Sequence, residues 1–291
     1  MIVTRIIGGL GNQMFQYAAG RSLALANGCQ LKLDISGYDN YGLRAYELEI
    51  FNIKAEVASK KQVLPLLGMQ SRLVHFVRRK LTWEKRTHFI ERNFNFNSAF
   101  FNMTSPVYLD GYWQSYKYFE SYAAQIREEL TFVKPIVGRN AELAKQISQV
   151  NAISIHVRRG DYVSHQATNK VHGFLGIEYY KEAIRRILNE VSAPYFFIFS
   201  DDLAWAKDNL GLVDNVTFVA HNTGLNSYED LRLMSLCRHH IIANSSFSWW
   251  AAWLGCHPRK KVLYPGKWFA TKGKDISSLC PPKWSCIGGK E

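Results

Sequence analysis

The feature that most constrains this chain is the alternation in its second half. Ala152–Val157, Tyr195–Phe199, Val216–Val219, His239–Ala243 and Lys261–Tyr264 are short runs rich in β-branched and aromatic residues. Between them lie helical patterns at Tyr179–Val191, Leu203–Leu210 and Tyr228–Cys237. The first is amphipathic, with Tyr180, Ala183, Ile184, Ile187, Leu188 and Val191 recurring at the helical period. Strands that alternate with helices pair in one direction and form a parallel sheet whose two faces the helices cover. The third helix opens Ser227-Tyr228-Glu229-Asp230, where a serine followed three residues on by an acid predicts a capping box.

The N-terminus repeats the theme. Ile2–Ile7 reads as a strand, Gly8-Gly9-Leu10-Gly11 as a turn, Met14–Asn27 as a helix and Leu31–Asp34 as the next parallel strand. Gly28 stands where a helix-terminating glycine belongs. Ser36 to about Met103 mixes aromatic and basic residues with weak periodicity and yields no assignment. Tyr122–Arg127 looks helical, and Phe132–Gly138, with its proline and glycine, is the candidate linker. A chain of 291 residues has room for roughly two domains. The expectation is an α/β fold of two Rossmann-like halves facing a cleft. The N-terminal domain is 1–137 and the C-terminal domain 138–291, with the last 25 or so residues packing back on the first.

Composition narrows the class. The chain is 47% apolar, enough for a sizeable core. Its five cysteines are an odd number without a C-x-x-C pair, which argues against a disulfide framework and a zinc ribbon and for a reducing compartment. No apolar run reaches the roughly 18 residues of a membrane span. Ile2–Ile7, interrupted by Arg5, is no signal peptide, so a cytoplasmic protein is expected. Of the net charge of +12, Lys54–Arg92 carries +7 and His257–Glu291 carries +6, leaving the body nearly neutral. Nucleic-acid binding would rest on this charge alone and is not expected.

In open α/β sheets ligands bind at the carboxyl ends of the strands, and three segments there carry chemistry. Gly8-Gly9-Leu10-Gly11-Asn12-Gln13 lets a ligand approach the backbone at a helix N-terminus and offers two amides, Asn12 and Gln13. It lacks the third glycine of the dinucleotide fingerprint, since Met14 follows. This speaks against a nicotinamide enzyme despite Asp34 at the end of the second strand. His156-Val157-Arg158-Arg159-Gly160-Asp161 delivers two guanidiniums to a strand end. The planar fork of Arg158 suits phosphate oxygens, whereas Arg159 is assigned a salt bridge with Asp161. Asn244-Ser245-Ser246-Phe247 precedes a helix; one of its polar residues suffices as a cap, which leaves others for an anion. Trp249, Trp250 and Trp253 belong to the core by their spacing. A weaker fourth feature is Ser200-Asp201-Asp202, whose adjacent acids could read a guanine edge, cap the next helix or, least suitably, hold a metal.

Taken together and in order, Gly8 to Ala18, His156 to Tyr162, Ser200 to Asp202, Ser227 to Ser235, Asn244 to Leu254, and Pro265 with Trp268-Phe269 resemble the α-1,2-fucosyltransferases of glycosyltransferase family 11, bacterial type. The resemblance implies a GT-B fold with a C-terminal domain that binds GDP-L-fucose, and inverting, metal-independent transfer to the 2-OH of a terminal galactose. By that analogy Arg158 holds the β-phosphate, His156 helps bind the nucleotide, and one of Asp201 and Asp202 contacts guanine. Ser245, Ser246, Phe247 and Gly11 line the donor site, and Asn12 lies near the donor phosphate and acceptor hydroxyl. No cofactor or metal is expected beyond the donor substrate. The general base is open: Asp161 is the candidate, Glu229 and Asp230 are reserves, and Asn12 could act through a water. The expected partner is a galactose-terminated oligosaccharide or lipid-linked glycan, and the basic stretch 71–86 could touch the inner face of a membrane. A non-catalytic GDP-sugar- or glycan-binding protein on the same scaffold is the alternative reading.

Overall fold

The computed structural model describes residues 1–40, 42, 44–67, 87–159, 175–270 and 275–288. The chain divides into two units, Met1–Pro135 with Asp275–Cys280, and Ile136–Lys274 with Pro281–Glu291.

In the first unit, strands β1 (Ile2–Arg5), β2 (Leu31–Asp34), β3 (Glu56–Val57), β4 (His88–Ile90) and β5 (Val107–Asp110) form a parallel sheet in the order β3-β2-β1-β5-β4. Helix α1 (Leu10–Ala26) follows β1. It is buried over most of its length, enclosing Gln13, Gln16 and Ser22 along with its apolar residues, and contains Gly20 at a close helix–strand crossing. The glycine turn is shorter than the sequence suggests, because α1 starts at Leu10 and takes in Gly11. Asn27 caps its C-terminus and Gly28 then turns at φ +57°, the left-handed conformation that glycine adopts without strain. The unit also contains helices α2 (Lys60–Leu67) and α3 (Ala123–Glu129) and several short 3-10 turns. Against α1, Glu129 accepts from Arg21 at 2.8 Å and from Tyr17, whose phenol burial and the carboxylate hold well above its ordinary pKa.

The second unit starts with helix α4 (Gly138–Gln149) and strand β6 (Asn151–Val157), followed by α5 (Ile177–Glu190), β7 (Pro194–Ser200), α6 (Leu203–Asn209) and β8 (Val216–Val219). It continues with α7 (Tyr228–Leu236), β9 (His239–Ile241), α8 (Ser246–Leu254), β10 (Val262–Pro265) and β11 (Ser285–Ile287). The sheet is parallel throughout, in the order β11-β10-β9-β6-β7-β8. One core cluster joins Ile153, Ile155 and Ile198 of the sheet to Tyr180, Ala183 and Ile187 of α5. Leu188 departs from the expected apolar face and is 52% exposed. Trp249 and Trp250 are fully enclosed and Trp253 nearly so, which makes the tryptophans of α8 core residues, as their spacing predicts.

The capping box at Ser227 does not form. Ser227 follows the 3-10 turn Gly224–Asn226 and is itself helical (φ −59°, ψ −24°), so its hydroxyl makes no cap bond. A side-chain cap needs the extended backbone that this position lacks. The Asp230 carboxylate instead accepts from Asn222 Nδ2 at 2.8 Å.

Candidate functional site

Each sheet reverses its direction of winding at one place, and the candidate residues collect there. In the second unit β6 leads outward through β7 to β8, and the chain returns to lay β9 on the other side of β6. The crevice beyond the carboxyl ends of β6 and β9 is the topological switch point where such sheets bind ligands. His156 and Arg158 come from the end of β6, and Ser245, Ser246 and Phe247 from the turn after β9. The His156 ring lies 5.8 Å from that of Phe247.

His156 is 6% exposed, and its Nδ1 is enclosed with no hydrogen-bond partner among the described residues. Burial first, and the charge of Arg158 second, lower its pKa to about 4, so the imidazole is neutral near pH 7. It therefore has one ring N–H to give and one nitrogen lone pair to offer. Arg158 Nη1 pairs with Asp201 Oδ2 at 3.1 Å, and the other oxygen, Oδ1, accepts from the Arg159 backbone N–H at 2.8 Å. Asp201 thus clamps the β6 exit and sets the direction of the guanidinium. Arg159 turns away to lie over the Trp205 ring at 4.2 Å, with Nε 3.6 Å from Asp202 Oδ2. Asp202 is the N-cap of α6, its Oδ1 accepting from Trp205 N at 3.1 Å. Of the readings open for the two acids, the structure displays the helix cap, at Asp202, while Asp201 takes a role not foreseen, the clamp on Arg158. Asp161 lies outside the described residues, as does the basic stretch 71–86.

At α8 the cap is Ser245, whose Oγ accepts from Phe247 N at 3.3 Å. Asn244 is not spare for an anion: it is 2% exposed and donates to the Trp268 carbonyl at 3.2 Å. Ser246 is the first residue of α8, beside backbone N–H groups at a helix start that carries no acid in its first turn.

A further cluster stands at the carboxyl end of β8, where Asn140 of α4 meets His221 (2.8 Å) and Asn222 (3.0 Å), and Asn222 meets Asp230. Burial pushes the Asp230 carboxyl up to about 7, with the charge of Glu229 adding to the effect and Asn222 opposing it. Sequence reasoning held Asp230 only in reserve, since its partners come from separate elements.

In the first unit Gly11 and Asn12 sit in the opening turn of α1, whose N-cap Gly9 gives no side-chain cap. Gly8, at φ +79°, has no room for a side chain: a Cβ there would stand 2.8 Å from Asn12 Nδ2. Asn12 Oδ1 accepts from Gln114 Nε2 at 2.7 Å. Gln13, expected to offer its amide to a ligand, is fully buried. It donates to the carbonyls of Gly8 (3.0 Å) and Ala45 (2.8 Å) and accepts from Glu47 N at 2.9 Å, so it braces the turn. Sequence reasoning missed Gln114, whose partner is 102 positions away.

The glycosyl transferase family 11 model matches residues 1–266. The chain belongs to that family. An α-1,2-colitosyltransferase of Escherichia coli is 35% identical over 98% of this chain and 98% of its own. The mouse galactoside 2-α-L-fucosyltransferase Sec1 is 26% identical over 87% of this chain and 64% of its own. Among solved structures, the NodZ α-1,6-fucosyltransferase soaked with GDP-fucose superposes with a TM-score of 0.52 at 16% identity, covering 87% of this chain and 91% of that one. The fold is GT-B, with two α/β units each built on a parallel sheet. The chain is a glycosyltransferase.

Proposed function

We propose that the chain transfers L-fucose from GDP-β-L-fucose to the 2-OH of a terminal galactose, with inversion and without a metal. The observation that carries this reading is the Arg158 guanidinium, held by Asp201 at the switch point beside neutral His156 and the start of α8. In the reaction the bond between fucose C1 and the β-phosphate oxygen breaks, and its electron pair leaves with GDP. The acceptor oxygen attacks C1 from the opposite face and its proton passes to a base. Charge grows on the departing phosphate, and a preorganised guanidinium aimed at it lowers the barrier; losing one such donor typically costs about 3–4 kcal/mol.

Under this reading Arg158 meets the β-phosphate and His156 bonds the nucleotide through a ring nitrogen. Ser245, Ser246 and Phe247 shape the phosphate end of the site, and Gly11 lets the ligand approach the α1 backbone. Asp201 and Asp202 already serve the protein, so a guanine contact from either would use its remaining lone pairs. Asp161 remains the proposed base and Asn12 a proposed contact of the reacting oxygens. The acceptor is an oligosaccharide or a lipid-linked glycan, and the proposed location is the cytoplasm, at the inner face of the membrane. Five free cysteines support a reducing compartment, and among the described residues no helix is long and apolar enough to cross a membrane.

Colitosyl transfer is a second reading, favoured by the 35% identical E. coli relative. The test is an assay of GDP-fucose and the colitosyl donor side by side against a panel of β-galactosides, with and without EDTA, reading linkage by NMR. An α-1,2-linked fucosyl product formed equally in EDTA is expected. Transfer of colitose alone would move the assignment to the second reading. Activity lost in EDTA and restored by a divalent ion would refute metal independence, and binding without transfer from either donor would make the chain a sugar-binding protein.

A further inference from the structure

The first sheet also has a switch point. β1 leads to β2 and β3 on one side, while β5 and β4 fill the other, so the crevice lies beyond the ends of β1 and β5. The turn after β1 supplies Gly8 and Asn12, and the turn after β5 is Gly111-Tyr112-Trp113-Gln114-Ser115. That second turn has an improbable backbone, because Trp113 sits at φ +56°, a region costly for a bulky side chain unless its surroundings impose it.

Glu91, directly after β4, is what imposes it. Its Oε2 accepts from the backbone N–H groups of Tyr112 at 2.7 Å and Trp113 at 3.0 Å. Burial holds the carboxyl pKa above its ordinary value, and the two N–H groups offset only part of that rise. Glu91 packs so tightly under Gly111 that a Cβ there would come within 2.4 Å of its own. The Trp113 ring is fully buried, 5.7 Å from Phe89 and 5.6 Å from Tyr118, and Ser115 Oγ pins the exit of the turn to the Ser278 carbonyl at 2.6 Å. A turn held at both ends delivers Gln114 Nε2 to Asn12 Oδ1. The Asn12 oxygen is thereby occupied, and its NH2 lies over Gly8, where the missing side chain leaves it room.

We propose that Glu91 and Gln114 are positioning residues for Asn12. Glu91 fixes the turn, the turn fixes Gln114, and Gln114 fixes the Asn12 amide so that it presents hydrogen-bond donors. Asn12 then gives hydrogen bonds to an electron-rich oxygen of the reacting groups and does not take the acceptor proton. The proposal rests on the catalytic contact assigned to Asn12 above.

The test compares kcat and KM for both substrates, with melting curves, in Asn12→Ala, Gln114→Glu, Glu91→Ala, Glu91→Gln and the double variant Asn12→Ala/Glu91→Ala. In Gln114→Glu a carboxylate draws the Asn12 NH2 toward itself, so kcat falls roughly tenfold at nearly unchanged KM for the donor. Glu91→Ala loses a similar factor, and Glu91→Gln, which keeps an acceptor for the turn, recovers most of it. The double variant is no slower than Asn12→Ala alone. If Asn12→Ala is slow but Glu91→Ala and Gln114→Glu are not, or if the losses multiply in the double variant, the positioning role is overturned and the contact made by Asn12 stands. If Asn12→Ala keeps its kcat, the contact itself is wrong. Should Glu91→Ala fail to fold, Gln114→Glu, which leaves the Glu91 bonds in place, decides.

Discussion

Replacing Asp230 by asparagine should stabilise the protein at pH 8 and leave it unchanged near pH 4. In the folded chain this carboxyl titrates at about 7 against 3.8 for the ordinary group, a rise of about 3 units. At 1.36 kcal/mol per unit, ionising it in place costs about 4 kcal/mol. A folded-state pKa above the unfolded one means that the folded state holds the proton more tightly. The stabilisation is complete below pH 3.8, declines as pH rises, and is gone above about 7. Asparagine keeps an oxygen to accept from Asn222 and has no charge to bury. The assay is thermal unfolding of both proteins at half-unit steps from pH 4 to 8.5. With about 2–4 °C per kcal/mol for a unit of this size, the variant should gain on the order of 10 °C at the alkaline end and nothing at the acid end. Buried histidines contribute equally to both proteins and cancel in the difference. A difference in Tm that stays flat with pH would refute the reasoning, because a charge-independent effect has no place in it.

Other perturbations follow from the same geometry. Arg158→Ala should lower kcat by at least a hundredfold in a GDP-fucose assay, the order expected on losing one preorganised donor. Arg158→Lys should recover little of that, since a point charge cannot reproduce the fork. Ser245→Ala removes the cap of α8 and should destabilise the second unit by about 1 kcal/mol in denaturant titrations. His156 and His239, both lowered to about 4, stabilise the fold fully above their ordinary 6.5 and lose that contribution as pH falls toward 4. His156→Gln should therefore flatten the acid limb of a Tm-against-pH curve.

What the sequence made legible follows from pattern length. The seven-residue strands β6 and β7 announce themselves as nearly continuous apolar runs buried on both faces, and the amphipathic α5 by repeating its period several times. Strands β4 and β5 have three and four residues inside an aromatic-rich stretch and acquire meaning only beside β1. The turn of Arg158 could be singled out as a candidate because two guanidiniums at a strand end are legible in the sequence itself. Glu91 and Gln114 could not, since their work is done on groups 21 and 102 positions away. Ser227 and Asp230 mislead, because a capping motif describes spacing whereas the cap depends on the dihedral angles of its first residue.

The chain passes from the first unit to the second after Pro135, returns for Asp275–Cys280, and leaves again. During synthesis the first unit emerges from the ribosome lacking the carbonyl of Ser278, which receives the Ser115 hydroxyl. The turn bearing Gln114 can be locked only once Ser278 has been made, so the first unit, though begun first, waits for a segment that follows most of the second.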